Sequence, residues 1–278
     1  MKYFNFSQSK YFFGTAILCS IAVMTAMVPP GLTQTTVPQY VNLLSQATPN
    51  VLPEEVGRKL IEQVSKDTRI TKSQLKITEI KPADFDGCLG IFRPNQLCTK
   101  ILIQGWQAII TGPNSTFVYH LSQDASRIAQ NDTASGAKIA VRVSFELFGG
   151  IENIPKLEPD VILKSTVSGD FTGRTTTVTL TSDGNITQFT IAPNIRSRPV
   201  VVKTLTPQQV EQFKKVLENR RFPNFNGLSY LTSAAVADFP TTTYQSQDTV
   251  THYISLEQNS MPRSLQQVIN IWETLIKP

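Results

Sequence analysis

The sequence predicts an α+β protein of two modules, each combining helices with an antiparallel sheet. Segments of alternating apolar and polar residues, typical of strands, fill most of the chain after residue 75; one segment with helical spacing precedes them and two lie among them. Helices and strands do not alternate one for one, which favours an α+β fold over a parallel α/β fold. Clusters of glycine, proline and small polar residues separate the segments.

The first 33 residues have the features of a secretory signal peptide. Lys2 and Lys10 precede an uncharged apolar run over residues 11–28, which ends at Pro29 and Pro30. We therefore expect a secreted or periplasmic protein, although the run is also long enough to remain as an uncleaved membrane anchor. Residues 34–50 are mostly polar and predict a flexible N-terminal extension of the mature chain.

Cys88 and Cys98 follow the leader, and three interpretations are open: a disulfide, a redox pair or half of a metal site. Outside the cytoplasm two nearby cysteines usually form a disulfide, and the glycines and proline of this loop allow the chain to turn back. A redox pair is more often CxxC. A zinc site would need two further ligands, for which the sequence offers only His120 and His252. We expect the disulfide.

The first predicted module covers residues 51–130. It begins with an amphipathic helix over residues 53–67, with glutamates in the first turn. The apolar stripe of this helix consists of Val56, Leu60, Ile61 and Val64. Strands are predicted at residues 75–80, 105–112 and 115–121. Residues 131–138 (NDTASGAK) are small and polar, so they are the expected linker to the second module.

The second predicted module covers residues 139–278. Strands are predicted at residues 139–148, in three runs within 160–191, and at 241–246 and 250–256. Glycines bracket a turn at residues 169–173, in the middle of the strand-rich part. A capping-box pattern that begins a helix consists of Thr206, Pro207 and Gln209. The last helix is predicted over residues 262–275.

The charge of the chain argues against nucleic acid as a partner. The formal net charge is +5 over 278 residues, which is too small to give the electrostatic footprint of such a protein. The densest basic cluster comprises Arg196, Arg198 and Lys203. We expect a solvated loop there, with a polyanion-binding role as the less favoured alternative.

Motif patterns favour a protein that is not an enzyme and has no cofactor or metal. HExxH, GxSxG, GxxxxGK and GxGxxG are absent from the sequence. His120 and His252 each lie in a predicted strand beside a tyrosine, where the common role is a polar cross-strand partner. Asp84 opens a stretch similar to a calcium-binding loop, but Asn95 stands where that loop requires glutamate.

The first module contains SQLKITEI, then DFDGCLG with Cys98 after it, and GWQAIITG followed by FVYHLSQDASR. In these pieces it resembles a disulfide-bearing module of uncharacterised bacterial secreted proteins. That module usually has tryptophan where Asp84 stands here. The order of one helix followed by strands is also similar to PepSY domains, which accompany secreted peptidases and occur in thermolysin-type propeptides.

The second module contains VSGDFTGR, TLTPQQVEQFKKVLENRRFPNFNGLSY, AVADFPTTTY and a closing MPRSLQQVINIWETL. Across residues 163–275 it resembles the emfourin family, small bacterial inhibitors of thermolysin-like metalloproteases. This chain has Gly169-Asp170-Phe171 where the family usually has Gly-Gly-Phe, and residues 151–160 lie outside the family pattern.

The emfourin resemblance implies a secreted, non-enzymatic inhibitor whose partner is a secreted metalloprotease. The candidate contact site is the turn formed by Asp170, Phe171, Thr172, Gly173 and Arg174. A rigid turn that presents an aromatic ring and an arginine suits a concave cleft. The alternative for this segment is a plain turn with Phe171 in the core.

A second function from a different class is an envelope or extracellular binding protein whose ligand is unknown. Exposed aromatic side chains gathered in one groove would favour it. The candidates are Phe225, Tyr230 and Tyr244. In either function the mature chain is expected to stay off the membrane, unless the leader is uncleaved.

Alkylation tests the predicted disulfide. The purified mature chain should take up two labels after reduction and none before it, because both thiols are held in the bridge. Mass spectrometry of the intact chain counts the labels. Labelling without reductant would contradict the prediction.

Overall fold

The computed structural model describes residues 51–145, 156–169, 171–232 and 239–277. Within these ranges the helices are α1 (Glu54–Thr68), α2 (Pro207–Asn219) and α3 (Arg263–Ile276). Short 3-10 turns lie at Lys72–Gln74, Phe222–Phe225 and Ser255–Ser260. The predicted signal peptide, residues 1–33, and the extension, residues 34–50, lie outside the described residues. None of the described helices is long and apolar enough to span a membrane.

The strands fall into two sheets. Those of the first sheet are β1 (Lys76–Phe85), β2 (Ile103–Thr111), β3 (Ser115–Ser122), β4 (Ile128–Gln130) and β5 (Ala137–Lys138). Those of the second are β6 (Val141–Ser144), β7 (Val161–Ser168), β8 (Thr175–Thr181), β9 (Asn185–Ala192), β10 (Ile195–Arg196), β11 (Val200–Thr204), β12 (Leu228–Thr232), β13 (Thr241–Ser246) and β14 (Thr249–Ile254).

The first sheet has the order β1-β2-β3-β4, with β5 also paired to β3, and its described pairs are antiparallel. Side chains alternate between its faces. One face packs on the apolar stripe of α1 through Trp106, Ala108, Ile110, Tyr119 and Leu121. The opposite face contributes Ile109 and Val118 to the hydrophobic core of the second sheet. The first sheet is therefore covered on both sides.

The second sheet has the order β10-β9-β8-β7-β13-β14-β12-β6, with β11 paired to β9. Helices α2 and α3 pack together on one of its faces, where the rings of Phe213 and Trp272 lie 5.6 Å apart. The Trp272 indole N–H donates to the Ser165 hydroxyl of β7 at 3.0 Å. Leu163, Leu180 and Ile186 of the sheet are completely buried in this core.

Helix α2 begins at the predicted capping box. The Gln209 backbone N–H donates to the Thr206 hydroxyl at 3.3 Å, and the Gln209 side-chain oxygen accepts from the Thr206 backbone N–H at 2.9 Å. Both bonds satisfy donors that the first turn of a helix leaves unpaired. This part of the sequence prediction is confirmed.

The fold class is confirmed in its coarser form: helices, mainly antiparallel sheets and one disulfide. The described residues contain more strand than helix, and β1 runs on to Phe85, beyond the predicted end at residue 80. The prediction of an antiparallel second sheet misses one pair, because Leu228–Tyr230 of β12 lies parallel to Thr251–Tyr253 of β14. Parallel pairing joins strands distant in sequence, and no local turn pattern announces it.

Residues 131–138, the predicted linker, are a packed part of the fold. Asn131, Ala134 and Ala137 are buried, and Ala134 and Ala137 belong to the core of the second sheet. The Asn131 amide donates to the backbone oxygen of Asn224 at 2.8 Å. The segment therefore packs into the fold and ends in β5 of the first sheet, although the division of the chain into two domains there stays a prediction.

Further polar contacts join the two sheets. Glu79 of β1 accepts hydrogen bonds at 2.9 Å from the Ser144 hydroxyl and from the Phe145 backbone N–H. Arg142 lies 3.5 Å from the same carboxylate. Tyr230 of β12 donates its hydroxyl to the Ala134 carbonyl at 3.3 Å.

Cys88 and Cys98 form the predicted disulfide, with their Cα atoms 5.5 Å apart. The loop that it closes is held at its middle by Asn224, which lies in the 3-10 turn after α2. The Asn224 side-chain oxygen accepts from the Phe92 backbone N–H at 2.7 Å, and its amide donates to the Phe92 carbonyl at 3.0 Å. A third bond, at 3.2 Å, runs to the Thr133 hydroxyl. The side-chain amide of Asn224 thus supplies the two hydrogen bonds to the Phe92 backbone that a neighbouring strand would otherwise supply.

The buried His120 faces the same loop from β3. Its Nδ1–H donates to the Leu89 carbonyl at 2.7 Å, and its ring stacks on Phe85 with centroids 5.1 Å apart. Its Nε2 lies 3.5 Å from the side-chain nitrogen of Gln107, the residue opposite on β2. The predicted cross-strand role is confirmed. Burial lowers the pKa of His120, because the imidazolium would lose hydration, and the bond to Leu89 offsets part of this.

The outer strand β11 is unusual in its exposure. Val200, Val201 and Val202 are 59%, 52% and 47% exposed. Within the described part of the chain β11 pairs with β9 alone, and its register shifts between Val201 and Lys203. Lys203 also donates its ammonium group to the Lys277 carbonyl at 2.7 Å.

Replacing Asn224 tests the attachment of the disulfide loop. Asn224→Ala should lower the free energy of unfolding by about 2 to 3 kcal/mol, because the Phe92 backbone groups lose their partners in a partly buried place. Asn219→Ala, at an exposed position of α2, is the matched control and should change it by less than about 0.5 kcal/mol. Urea denaturation measures both, and equal effects would refute the attachment.

The lowered pKa of His120 predicts a pH dependence of stability. Above both pKa values the ring is neutral in the folded and unfolded chains, so it contributes no slope. As the pH falls through the unfolded value of about 6.5, the unfolded chain binds the proton first and the free energy of unfolding decreases. Urea denaturation between pH 7.5 and about pH 5 should show a smaller decrease for His120→Gln. Parallel curves would contradict the assignment.

Candidate functional site

The predicted contact turn joins β7 and β8. Asp170 lies outside the described residues. Phe171 is 87% exposed, and Thr172, Gly173 and Arg174 are exposed with it. The alternative that placed Phe171 in the core is therefore wrong. Threonines occupy the base of the turn on β8, and the residues of β8 that pack on the core are Val178 and Leu180.

The backbone of this turn depends on its two glycines. Gly169 has φ +88° and Gly173 has φ +64°, in the left-handed region that favours glycine. A Cβ at Gly173 would lie 3.5 Å from the Pro193 ring, so this turn rests against the one joining β9 and β10. Exposed apolar side chains lie on the strands nearby: Val167, Ile191 and Ile195. The exposed ring of Phe171 therefore projects from the end of a hairpin whose two strands are paired with each other.

A groove of about 800 Å³ lies on the second sheet, along β7, β8 and β9. Ser165 points towards α3, since Trp272 donates to it, so the adjacent Lys164 points to the other face. The floor of the groove has Lys164, Thr179 and Thr187 in one row across the three strands. Thr177 and Phe189 form part of the next row. The floor is therefore the face opposite to the helices.

The rims of the groove carry charge. Lys156 and Glu158 lie on one side, and Arg196 and Arg198 lie on the other. Sequence analysis placed the two arginines in a solvated loop, but Arg196 belongs to β10 and pairs with Ile191. The sequence signal that was missed is the TTTVTLT run of β8, where threonine at alternate positions marks a polar face opposite to the core.

The disulfide loop has no catalytic or metal-binding arrangement among the described residues. A carboxylate oxygen of Asp86 and the two cysteine sulfurs lie within 4.8 Å of one another. The sulfurs are bonded to each other and are not thiolates, so they are not available as metal ligands. One Asp86 oxygen accepts from the backbone N–H groups of Cys88 and Gly90, both at 2.9 Å. Asp86 therefore shapes the turn of the loop.

His252 is a second buried histidine. Its Nε2 lies 2.7 Å from the hydroxyl of Ser229, the residue beside it on β12. Ser229 is completely buried and His252 is 1% exposed. A substrate cannot reach this pair in the folded chain, so its geometry supports a structural cross-strand role, as predicted.

The aromatic residues proposed for a binding groove lie in the core. Phe225 and Tyr230 are completely buried, and Tyr244 is 2% exposed and stacks on Tyr253. Burial raises the pKa of both Tyr230 and Tyr244, because a phenolate would lose hydration. That expectation was wrong, because Tyr230 and Tyr244 face the hydrophobic core of the second sheet and Phe225, in the 3-10 turn after α2, packs into the same core.

Comparison with known proteins yields one similarity. A family model described as a domain of unknown function (DUF8738) matches residues 58–129. The matched stretch runs from the first turns of α1 to β4, and it contains both cysteines and His120. The second sheet with α2 and α3, and hence the turn and the groove, lies outside it. No curated protein and no solved structure matches the chain.

Proposed function

We propose that this protein is a secreted or periplasmic inhibitor of a thermolysin-like metalloprotease and has no enzymatic activity of its own. The observation that carries the proposal is the exposure of Phe171, 87%, at the tip of the β7–β8 hairpin. The contact site would be the turn of residues 170–174. It would enter the active-site cleft of the protease and exclude substrate.

The exposed ring of Phe171 forgoes the free energy that burial of its apolar surface would give. A phenylalanine at a turn tip gains nothing from burial in its own chain, whereas in a partner's pocket it can bury its whole ring. Aromatic residues and arginine are frequent hot spots of protein interfaces, and Arg174 lies three residues from Phe171. The paired base formed by β7 and β8 holds the turn in place before binding, which reduces the entropy lost on association.

The resemblances of the two modules support the same proposal. The second module would be emfourin-like, and the first would be a PepSY-like disulfide module, a type that accompanies secreted peptidases. A stable disulfide suits an oxidising compartment, where the proposed partner would also be found.

The second candidate function is an extracellular binding protein for a separate ligand. The three buried aromatics give it no support, but the groove on the open face of the second sheet does. Its volume of about 800 Å³ is within the range of ligand-binding sites.

Titration against a thermolysin-like metalloprotease tests the inhibitor proposal. The purified mature chain should abolish peptide cleavage at a stoichiometric ratio and remain uncut. Phe171→Ala with Arg174→Ala should weaken inhibition at least tenfold, about 1.4 kcal/mol, since the buried anchor is lost.

The matched control for this experiment lies on the disulfide loop. Leu97 is 99% exposed and Arg93 is also exposed, so Leu97→Ala with Arg93→Ala removes the same kinds of group from another surface. This control should inhibit as the parent does. If the Phe171 and Arg174 variant melts at the parent's temperature and still inhibits equally well, the turn is not the contact site.

A further inference from the structure

We propose that the groove on β7, β8 and β9 is a binding site for an extended acidic peptide segment. This site differs from the Phe171 turn and does not depend on the inhibitor proposal. The charge of the groove, the spacing of its arginines and its apolar surface favour such a ligand.

Cations dominate the groove. Four basic side chains line it, from Lys156, Lys164, Arg196 and Arg198, against the one carboxylate of Glu158. Within the described residues, none of the four has a side-chain hydrogen bond or an ion pair. Like charges gathered in a concave surface repel one another and focus a positive potential, so an anionic ligand is favoured. The partner must therefore supply carboxylates or another acid group.

The arginines fix the geometry of that partner. Arg196 and Arg198 are two residues apart, and both line the same rim. The backbone between them stays beside β9, since the Ser197 N–H donates to the Thr190 carbonyl at 2.9 Å. Side chains two residues apart in extended backbone repeat at about 7 Å on one side. An extended peptide with acidic residues at alternate positions repeats its carboxylates at the same distance.

The apolar groups of the groove favour a peptide over an acidic sugar polymer. Leu157 and Val161 lie at one side, Pro199 lies at the other, and Phe189 lies on the floor. A peptide of alternating acidic and aliphatic residues can place carboxylates on the arginines and its aliphatic side chains on this surface. The hydroxyls of Thr177, Thr179 and Thr187 can bond to the peptide's backbone groups. A uronic acid polymer would have nothing to match the aliphatic rims.

Fluorescence anisotropy with a labelled peptide of four Glu-Val repeats tests the proposal. The full mature chain should bind it, and the affinity should fall with rising salt, since exposed charges are screened. Arg196→Glu with Arg198→Glu should weaken binding at least tenfold. Arg196→Gln with Arg198→Gln is the milder variant for use if charge reversal affects folding, and it should also weaken binding.

Lys100→Glu with Lys138→Glu is the matched control, because it makes the same charge change at two exposed positions outside the groove, one just before β2 and one on β5. This control should bind the peptide as the parent does. Phe171→Ala with Arg174→Ala should also bind as the parent does, because these residues belong to the turn and not to the groove. A labelled peptide of four Gln-Val repeats should bind at least tenfold more weakly.

Three outcomes would overturn the proposal. The first is no binding of the acidic peptide by the parent chain. The second is an equal loss of affinity in the Lys100 and Lys138 control, which would indicate general charge attraction. The third is tighter binding of a labelled oligogalacturonate than of the peptide, which would assign the groove to an acidic sugar.

Discussion

The side-chain amide of Asn224 joins three segments of the chain that are distant in sequence. It pairs with both backbone groups of Phe92 and with the Thr133 hydroxyl, while the Asn224 carbonyl accepts from Asn131. A buried polar group without partners is costly, so these bonds must form together. Asn224 therefore fixes the disulfide loop, the segment after β4 and the 3-10 turn after α2 in one place.

Two further sets of contacts involve residues of the first sheet. The Leu89 carbonyl in this loop accepts from the buried His120, whose ring stacks on Phe85. Glu79 of the first sheet accepts hydrogen bonds from Ser144 of the second sheet and from Phe145, the next residue. The disulfide closes the loop, and side-chain hydrogen bonds from Asn224 and His120 hold its backbone at Phe92 and Leu89.

Local patterns in the sequence predicted the local structure well. The capping box at Thr206, the stripe of α1 and the glycine-bracketed turn all depend on residues close together in sequence. The parallel pairing of β12 with β14 and the burial of Tyr230 depend on partners far along the chain, so no short pattern contains them. The same holds for the groove, because Lys164 and Arg198 line the same surface only once β7, β8 and β9 are paired.

The turn and the groove share one structural origin. Both are formed by the β7–β8 hairpin and the β9–β10 turn beside it, on strands whose other face carries the core. Helices α2 and α3 cover that other face. The core therefore lies on one face of these strands, and the proposed turn and groove lie at their tip and on the opposite face.

Strand β11 carries a risk of self-assembly that its sequence limits. An exposed edge with three valines is a template to which another chain can add a strand. Pro199, just before the strand, lacks the N–H that a continuous ladder requires, and the register shift before Lys203 twists the edge away from a straight partner. The ammonium group of Lys203 donates a hydrogen bond to the carbonyl of Lys277. These features disfavour the addition of a strand from another molecule along this edge.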